Sequence, residues 1–163
     1  SCVGSLASGD YLKDFLHWHA CSEGLIGRKS TLHLAMHLAA MADDVDAVER
    51  LFALRVDVDV RQPRALADAG FPKRRTPLHV ACGMGHVQIA QLLLDRRANC
   101  EARNSFGDVP LLAANYGGKV DVVELLLQRR ADISTRNKMG DSPLDHAALH
   151  GHSGVVAVLL AAR

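Results

Sequence analysis

At 163 residues the chain has the length of one ordinary domain or a short repeat array, and an apolar share of 48% is enough to bury a core, which excludes disorder as its main state. It holds 23 Ala and 23 Leu but only 3 Ile, with 4% aromatics, so helix formers supply the apolar surface and an all-α fold is favoured over a sandwich or barrel. Nineteen basic against eighteen acidic residues leave a net charge of +1, far from the strongly basic balance of a dedicated nucleic-acid binder.

In chain order, the first predicted element lies at residues 10–18, where Tyr11, Leu12, Phe15 and Leu16 share one helical stripe with Trp18 beyond. Within residues 1–30 this reads as a capping helix or degenerate half-repeat. From residue 31 the chain repeats itself. Sliding it by 33 residues overlays Thr76-Pro77-Leu78-His79-Val80-Ala81 on Val109-Pro110-Leu111-Leu112-Ala113-Ala114 and on Ser142-Pro143-Leu144-Asp145-His146-Ala147. Gly85, Gly118 and Gly151 then align, as do Leu93-Leu94, Leu126-Leu127 and Leu159-Leu160. An earlier copy, from His37-Leu38-Ala39-Ala40 to Val56-Asp57, aligns with an offset of 42, the nine extra residues falling at Gln62–Gly70. The organisation is thus one domain over 1–163: repeat 1 at 31–61, an insertion at 62–70, and repeats 2, 3 and 4 at 71–103, 104–136 and 137–163.

Each copy carries the same local instructions. Thr or Ser before Pro suits a helix start, because the hydroxyl caps free N–H groups and Pro needs none in the first turn. Gly85 and its equivalents permit the left-handed residue that ends a helix. A second helix follows, with Val87, Ala90, Leu93 and Leu94 at helical spacing, and Asn104 with Gly107 supplies the chemistry of a tight hairpin. Neither helix buries its apolar face alone, so stacking of neighbouring copies must form the core.

With T-P-L-H-x-A intact at Thr76–Ala81, a 33-residue period and closing Ala98-Asn99 and Ala131-Asp132 pairs, residues 31–163 resemble an ankyrin repeat protein. The resemblance implies an α-solenoid of antiparallel helix pairs with projecting β-turn fingers, and non-catalytic binding of another protein as scaffold, targeting or inhibitory module. The chain departs from the family at Arg55, Arg97 and Arg130, where Gly usually follows the second helix, at Arg74 in a finger, and at Asp43 between the helices of repeat 1. Repeat 1 has Leu34-Ala35 in place of Thr-Pro, so its first helix is expected to begin a turn earlier, at Ser30-Thr31.

Carried over by alignment, partner contacts fall on the finger tips and on the inner face of the first helices, the concave and finger surface of the array. The finger residues are Lys73 and Arg75, then Arg103, Asn104, Phe106 and Asp108, then Arg136, Asn137, Met139 and Asp141. The helical positions are Met41, Met84, Tyr116, Leu149 and His150. Met84, Phe106, Tyr116 and Met139 would be apolar groups with no core to fill, the type that anchors interfaces. Arg61, Arg103 and Arg136 recur as a basic ladder, and the bland alternative is that Arg103 pairs with Asp108 and Arg136 with Asp141 inside each hairpin. That ladder carries the second functional reading, a binder of nucleic acid or phosphorylated tails, with nucleic acid disfavoured by the net charge. Residues 61–75 hold five basic side chains against Asp68 alone, so the insertion is a long charged finger or a tolerated surface loop.

Chemical sites fare worse. His17-x-His19-x-Cys21 and His33-x3-His37 invite a zinc reading, but His37 sits in the slot of His79, where the family braces the turn; no metal and no cofactor are assigned. The tail residues His146, His150 and His152 read as structural or surface groups. Gly83-Met84-Gly85 lies at a helix turn and not after a strand, no G-x-S-x-G exists, and Asp145-His146 lacks a nucleophile, so no catalytic residue and no small-molecule substrate are assigned. Cys82 and Cys100 are expected to be buried and inert, and the four cysteines show no C-x-x-C spacing. No apolar run reaches the roughly 18–20 residues that span a bilayer. With no membrane segment or secretory signal in sight, a cytoplasmic or nuclear setting is the expectation. The chain opens on Ser, as an excised or processed fragment would. Its last helix offers Ala157, Val158, Ala161 and Ala162 but no polar outer face, which points to self-association or further repeats there.

Overall fold

The computed structural model describes residues 28–62 and 73–162, and all that follows concerns these. The capping helix at 10–18, the His17/His19/Cys21 group and all but Gln62 of the insertion lie outside them. Eight helices follow one another: α1 (Arg28–Ala42), α2 (Val45–Ala53), α3 (Pro77–Met84), α4 (Val87–Asp95), α5 (Pro110–Tyr116), α6 (Val120–Gln128), α7 (Pro143–Leu149) and α8 (Ser153–Ala161). They pair α1 with α2, α3 with α4, α5 with α6 and α7 with α8. The first helices stack in one row (α1, α3, α5, α7) and the second helices in another (α2, α4, α6, α8).

The starts follow local chemistry. Thr76 Oγ1 accepts from the His79 amide while His79 Nδ1 accepts from the Thr76 amide, a reciprocal cap with Pro77 in the first turn. Ser142 and Asp145 form the same box in repeat 4. Val109, without a hydroxyl, leaves the start of α5 uncapped by its side chain and relies on Pro110. α1 reaches back to Arg28 and so runs longer than the start expected at Ser30-Thr31. No Pro occurs in that stretch to set its start.

The core has the period of the sequence. Ile89, Val122 and Val155 occupy one repeated slot, Ala81, Ala114 and Ala147 a second, and Leu93, Leu126 and Leu159 a third, and all are buried. Each such Leu contributes about 1.5–3 kcal/mol by leaving water. The small Ala slot lets adjacent first helices approach closely, and Asn115 ties that row by donating to the Pro143 carbonyl at 2.7 Å. On the outer side, Arg129 pairs with Asp95 at 2.8 Å and Arg96 lies over the Phe52 ring at 4.6 Å, each bridging two repeats.

The arginines after the second helices adopt the conformation the family gives to Gly. Arg55, Arg97 and Arg130 have φ of 59°, 65° and 63°. The bonds that favour this are those of a Schellman turn: Ala98 N–H reaches the Leu93 carbonyl at 3.0 Å and Ala131 N–H the Leu126 carbonyl at 3.0 Å. A left-handed non-Gly residue costs roughly 1–2 kcal/mol, part of which Gly returns as unfolded-state entropy. Arg97→Gly, at an exposed position, is therefore expected to raise stability by about 0.5–1 kcal/mol. The denaturation midpoint checks this, and Arg97→Ala, which keeps a Cβ, should gain nothing.

Candidate functional site

The fingers are built outward from these helix ends. Asn104 Oδ1 accepts from the Phe106 and Asp108 amides at 2.8 and 3.0 Å, and Gly107 takes φ of 81°, so the chain reverses within four residues. Asn137 and Gly140 repeat the arrangement, with amides of Met139 and Asp141 at 2.9 and 3.0 Å. Phe106 and Met139 stand at the equivalent tips, in the slot held by Lys73 in repeat 2.

Neighbouring fingers are stitched together. Ser105 N–H donates to the Lys73 carbonyl at 2.8 Å and Lys138 N–H to the Phe106 carbonyl at 2.9 Å. Beneath them Asp108, 1% exposed, accepts Asn104 Nδ2 at 3.1 Å and Asn137 Nδ2 at 3.0 Å, one from its own finger and one from the next. His79 Nε2 donates to the Asp108 carbonyl at 3.0 Å, and His37 Nε2 lies 3.0 Å from the Arg75 carbonyl. Histidine in this slot thus braces the finger that follows it. Burial pushes the His79 pKa down to about 4, so the ring is neutral, with Nδ1 accepting from Thr76 and Nε2 donating. Burial lowers His37 as well.

Neither pair of the bland alternative, Arg103 with Asp108 or Arg136 with Asp141, is formed. Arg103 Nη1 donates to the Gly107 carbonyl of its own finger at 2.9 Å and to the Arg136 carbonyl of the next repeat at 2.7 Å. Arg61 Nη1 likewise reaches the Arg74 and Arg103 carbonyls at 3.0 and 2.9 Å. Arg136 Nη1 meets the Gly140 carbonyl at 2.6 Å and Asp145 at 3.2 Å. Asp108 turns inward to the two amides instead, which removes it from the arginines. The ladder therefore holds successive repeats together while its guanidinium groups remain exposed.

The remaining candidate residues separate into two groups. Met84, Phe106, Tyr116, Met139 and Leu149 are 46%, 49%, 42%, 67% and 77% exposed, large apolar groups that nothing in the described chain covers. His150 and Lys73 are exposed beside them, whereas Met41 and Arg75 are half-buried. Burial lowers the Arg75 pKa, and its carbonyl accepts the Gln62 amide at 2.8 Å, so Arg75 is more a buttress than a finger tip. Cys82 is buried and its thiol pushed well up by burial, as expected; Cys100 is only half-buried, a correction to the expectation for it.

A cluster on the first-helix row was not foreseen. Tyr116 meets the His146 ring edge-on at 4.1 Å, His146 stacks on His150 at 4.2 Å, and His152 follows at 6.1 Å. Burial, then the neighbouring His150, lowers the His146 pKa. The stack fixes Tyr116 and His150 in place across two repeats. Spacing alone hides it, because Tyr116 and His146 are brought together only by stacking of α5 on α7. On α8 and its C-cap, Ala157, Leu160, Ala161 and Ala162 are exposed and form an apolar outer face, with Val158 half-buried.

Among the described residues no group of His, Cys, Asp and Glu is placed to hold a metal ion, and no helix is long and apolar enough to cross a membrane. Comparison with known proteins agrees with the architecture. The chain is similar to protein phosphatase 1 regulatory subunit 27 of Homo sapiens, 33% identical over 76 residues, which covers 47% of this chain and 44% of that protein. The Mus musculus protein of the same name is 32% identical over the same share of each. The chain thus spans less than half the length of the curated relatives it matches. The family model described as ankyrin repeats (3 copies) matches residues 10–104, 36–137 and 97–163. Together these matches run through every helix described, and the chain belongs to the ankyrin repeat family.

Proposed function

We propose that this chain recognises another protein through its finger tips and the exposed ends of its first helices, as a non-catalytic scaffold, targeting or inhibitory module. The observation that carries this is the row of uncovered large apolar side chains, Met84, Phe106, Tyr116, Met139 and Leu149, set on a braced and repeating support. Exposed aromatic and Met groups of this kind anchor interfaces, and a preassembled surface loses little entropy on binding. The name of its relatives supports the reading and makes protein phosphatase 1 the first partner to try.

The test compares the wild-type chain with Phe106→Ala/Tyr116→Ala for binding to protein phosphatase 1 and for the proteins each captures. Truncating two anchors is expected to weaken binding by at least about 2 kcal/mol, near thirtyfold, while loss of the Tyr116–His146 contact lowers the melting temperature only modestly and leaves the chain folded at the assay temperature, which circular dichroism checks. A double variant that holds the same partners with undiminished affinity would overturn the proposal.

A further inference from the structure

Along the finger edge runs a cleft of about 390 Å³ whose lining includes Arg61, Arg74, Arg103, Arg136 and Lys138 and, among the described residues, no carboxylate. Three of its arginines come from equivalent positions of three successive repeats. Each is held at Nη1 by carbonyls of the array, and their remaining N–H groups have no partner among the described residues. Lys138 is positioned in the same way, its Nζ donating to the Ser105 carbonyl at 2.8 Å. Of the carboxylates flanking Arg103 in sequence, Asp108 is buried and committed to Asn104 and Asn137, and Glu101 accepts the Asp132 amide at 2.9 Å. Only Arg136 has a carboxylate, Asp145, and that pair is exposed. The result is a preorganised row of cations that outnumbers the carboxylates described near it, Asp145 at Arg136 and Asp132 within electrostatic reach of Arg103, on a chain whose net charge is only +1.

Such a row favours one kind of ligand. Packed helices lie about 8–10 Å apart, so the array offers one guanidinium at roughly that interval. A peptide in the extended polyproline II conformation advances about 3.1 Å per residue with three residues per turn, so every third side chain falls in step on one face. Guanidinium forks already fixed at one nitrogen can bind carboxylates with little further ordering. Single-stranded nucleic acid is less suited: the molecule lacks an overall positive field, and Phe106 alone does not make a stacking platform.

We propose that this cleft binds an extended acidic peptide segment carrying Asp or Glu at about every third residue. This deepens the protein-recognition reading, on which it rests, by naming the chemistry of one part of the partner. The probe is a fluorescent synthetic peptide with Glu at every third position of a Gly-Ser background, titrated by anisotropy against the full chain. A peptide of identical composition with contiguous Glu, and an oligothymidylate of equal charge, are run beside it.

The spaced peptide is expected to bind best, to weaken as added salt screens the pairs, and to lose about threefold in each of Arg74→Gly and Lys138→Gln. Arg74 has φ of 63°, a conformation that Gly adopts freely, so Arg74→Gly removes a cation without threatening the fold, and an unchanged melting temperature checks that. The inference is overturned if the spaced peptide fails to bind, if the contiguous peptide or the oligothymidylate binds as well, or if both variants keep wild-type affinity. Should the peptide fail while Phe106→Ala/Tyr116→Ala still abolishes partner binding, this inference falls and the broader reading stands.

Discussion

Asp108→Ala is expected to destabilise the chain by about 3–5 kcal/mol, lowering its melting temperature by roughly 6–20 °C. The carboxylate is 1% exposed and accepts both Asn104 Nδ2 and Asn137 Nδ2, at 3.1 and 3.0 Å. Hydrogen bonds to a charged group contribute about 1.5–3 kcal/mol each, and deleting the acceptor strands two amides where water does not reach. Both asparagines also organise their own turns, so the loss spreads to two fingers at once. Asp108→Asn keeps the shape but offers one acceptor where two are needed, and should fall between. Glu124→Ala, on the exposed side of α6, should change stability by less than about 0.5 kcal/mol. Thermal or urea denaturation of the three variants measures the series; equal losses at Asp108 and Glu124 would show that the finger network carries no stability.

Acid should weaken the array before most carboxylates titrate. Burial holds His79 near a pKa of about 4 in the folded chain, against 6.5 for an ordinary histidine. Above that ordinary value both states are neutral and the contribution is constant. Between 6.5 and about 4 the unfolded chain takes up a proton that the folded chain refuses, so stability falls as pH falls. The separation corresponds to about 3 kcal/mol lost by the lower end. Burial shifts His37 and His146 in the same direction, which deepens the loss. The structural reason is specific: protonation would place an N–H at Nδ1, where Thr76 already presents donors. Urea unfolding from about pH 7 down to about pH 4.5 reads the slope, and NMR titration of the ring reads the midpoint. His79→Gln should flatten the slope, and a His79 midpoint near 6.5 would contradict the brace.

What the sequence could and could not reveal divides by range. Thr76-Pro77 and Ser142-Pro143 start helices, and Asn104 with Gly107 closes a finger, because each instruction acts over three or four residues. The left-handed arginines were legible as strain for the same reason, since only the repeat register was needed to place Arg97 where Gly belongs. The destination of Arg103 was not legible. Its partner, the Arg136 carbonyl, is a backbone atom one repeat away, and nothing in either side chain advertises it. A charge rule pointed to Asp108 instead, and the two buried amides outcompeted the exposed arginine for that carboxylate. The Tyr116–His146–His150 stack has no sequence signature because it exists only where α5 meets α7. Arg74 and Lys138 join the cleft through the same inter-repeat stacking.

The claim beneath all of this is that the finger tips and first-helix ends are left bare because a partner protein covers them. Amide hydrogen exchange of the chain, free and saturated with a partner identified by the alanine comparison, tests it most directly. The account predicts slowed exchange around Phe106, Tyr116, Met139 and Leu149, with the turns at Arg97 and Arg130 unchanged. Protection confined to those turns, with residues 104–117 exchanging as freely as before, would contradict it.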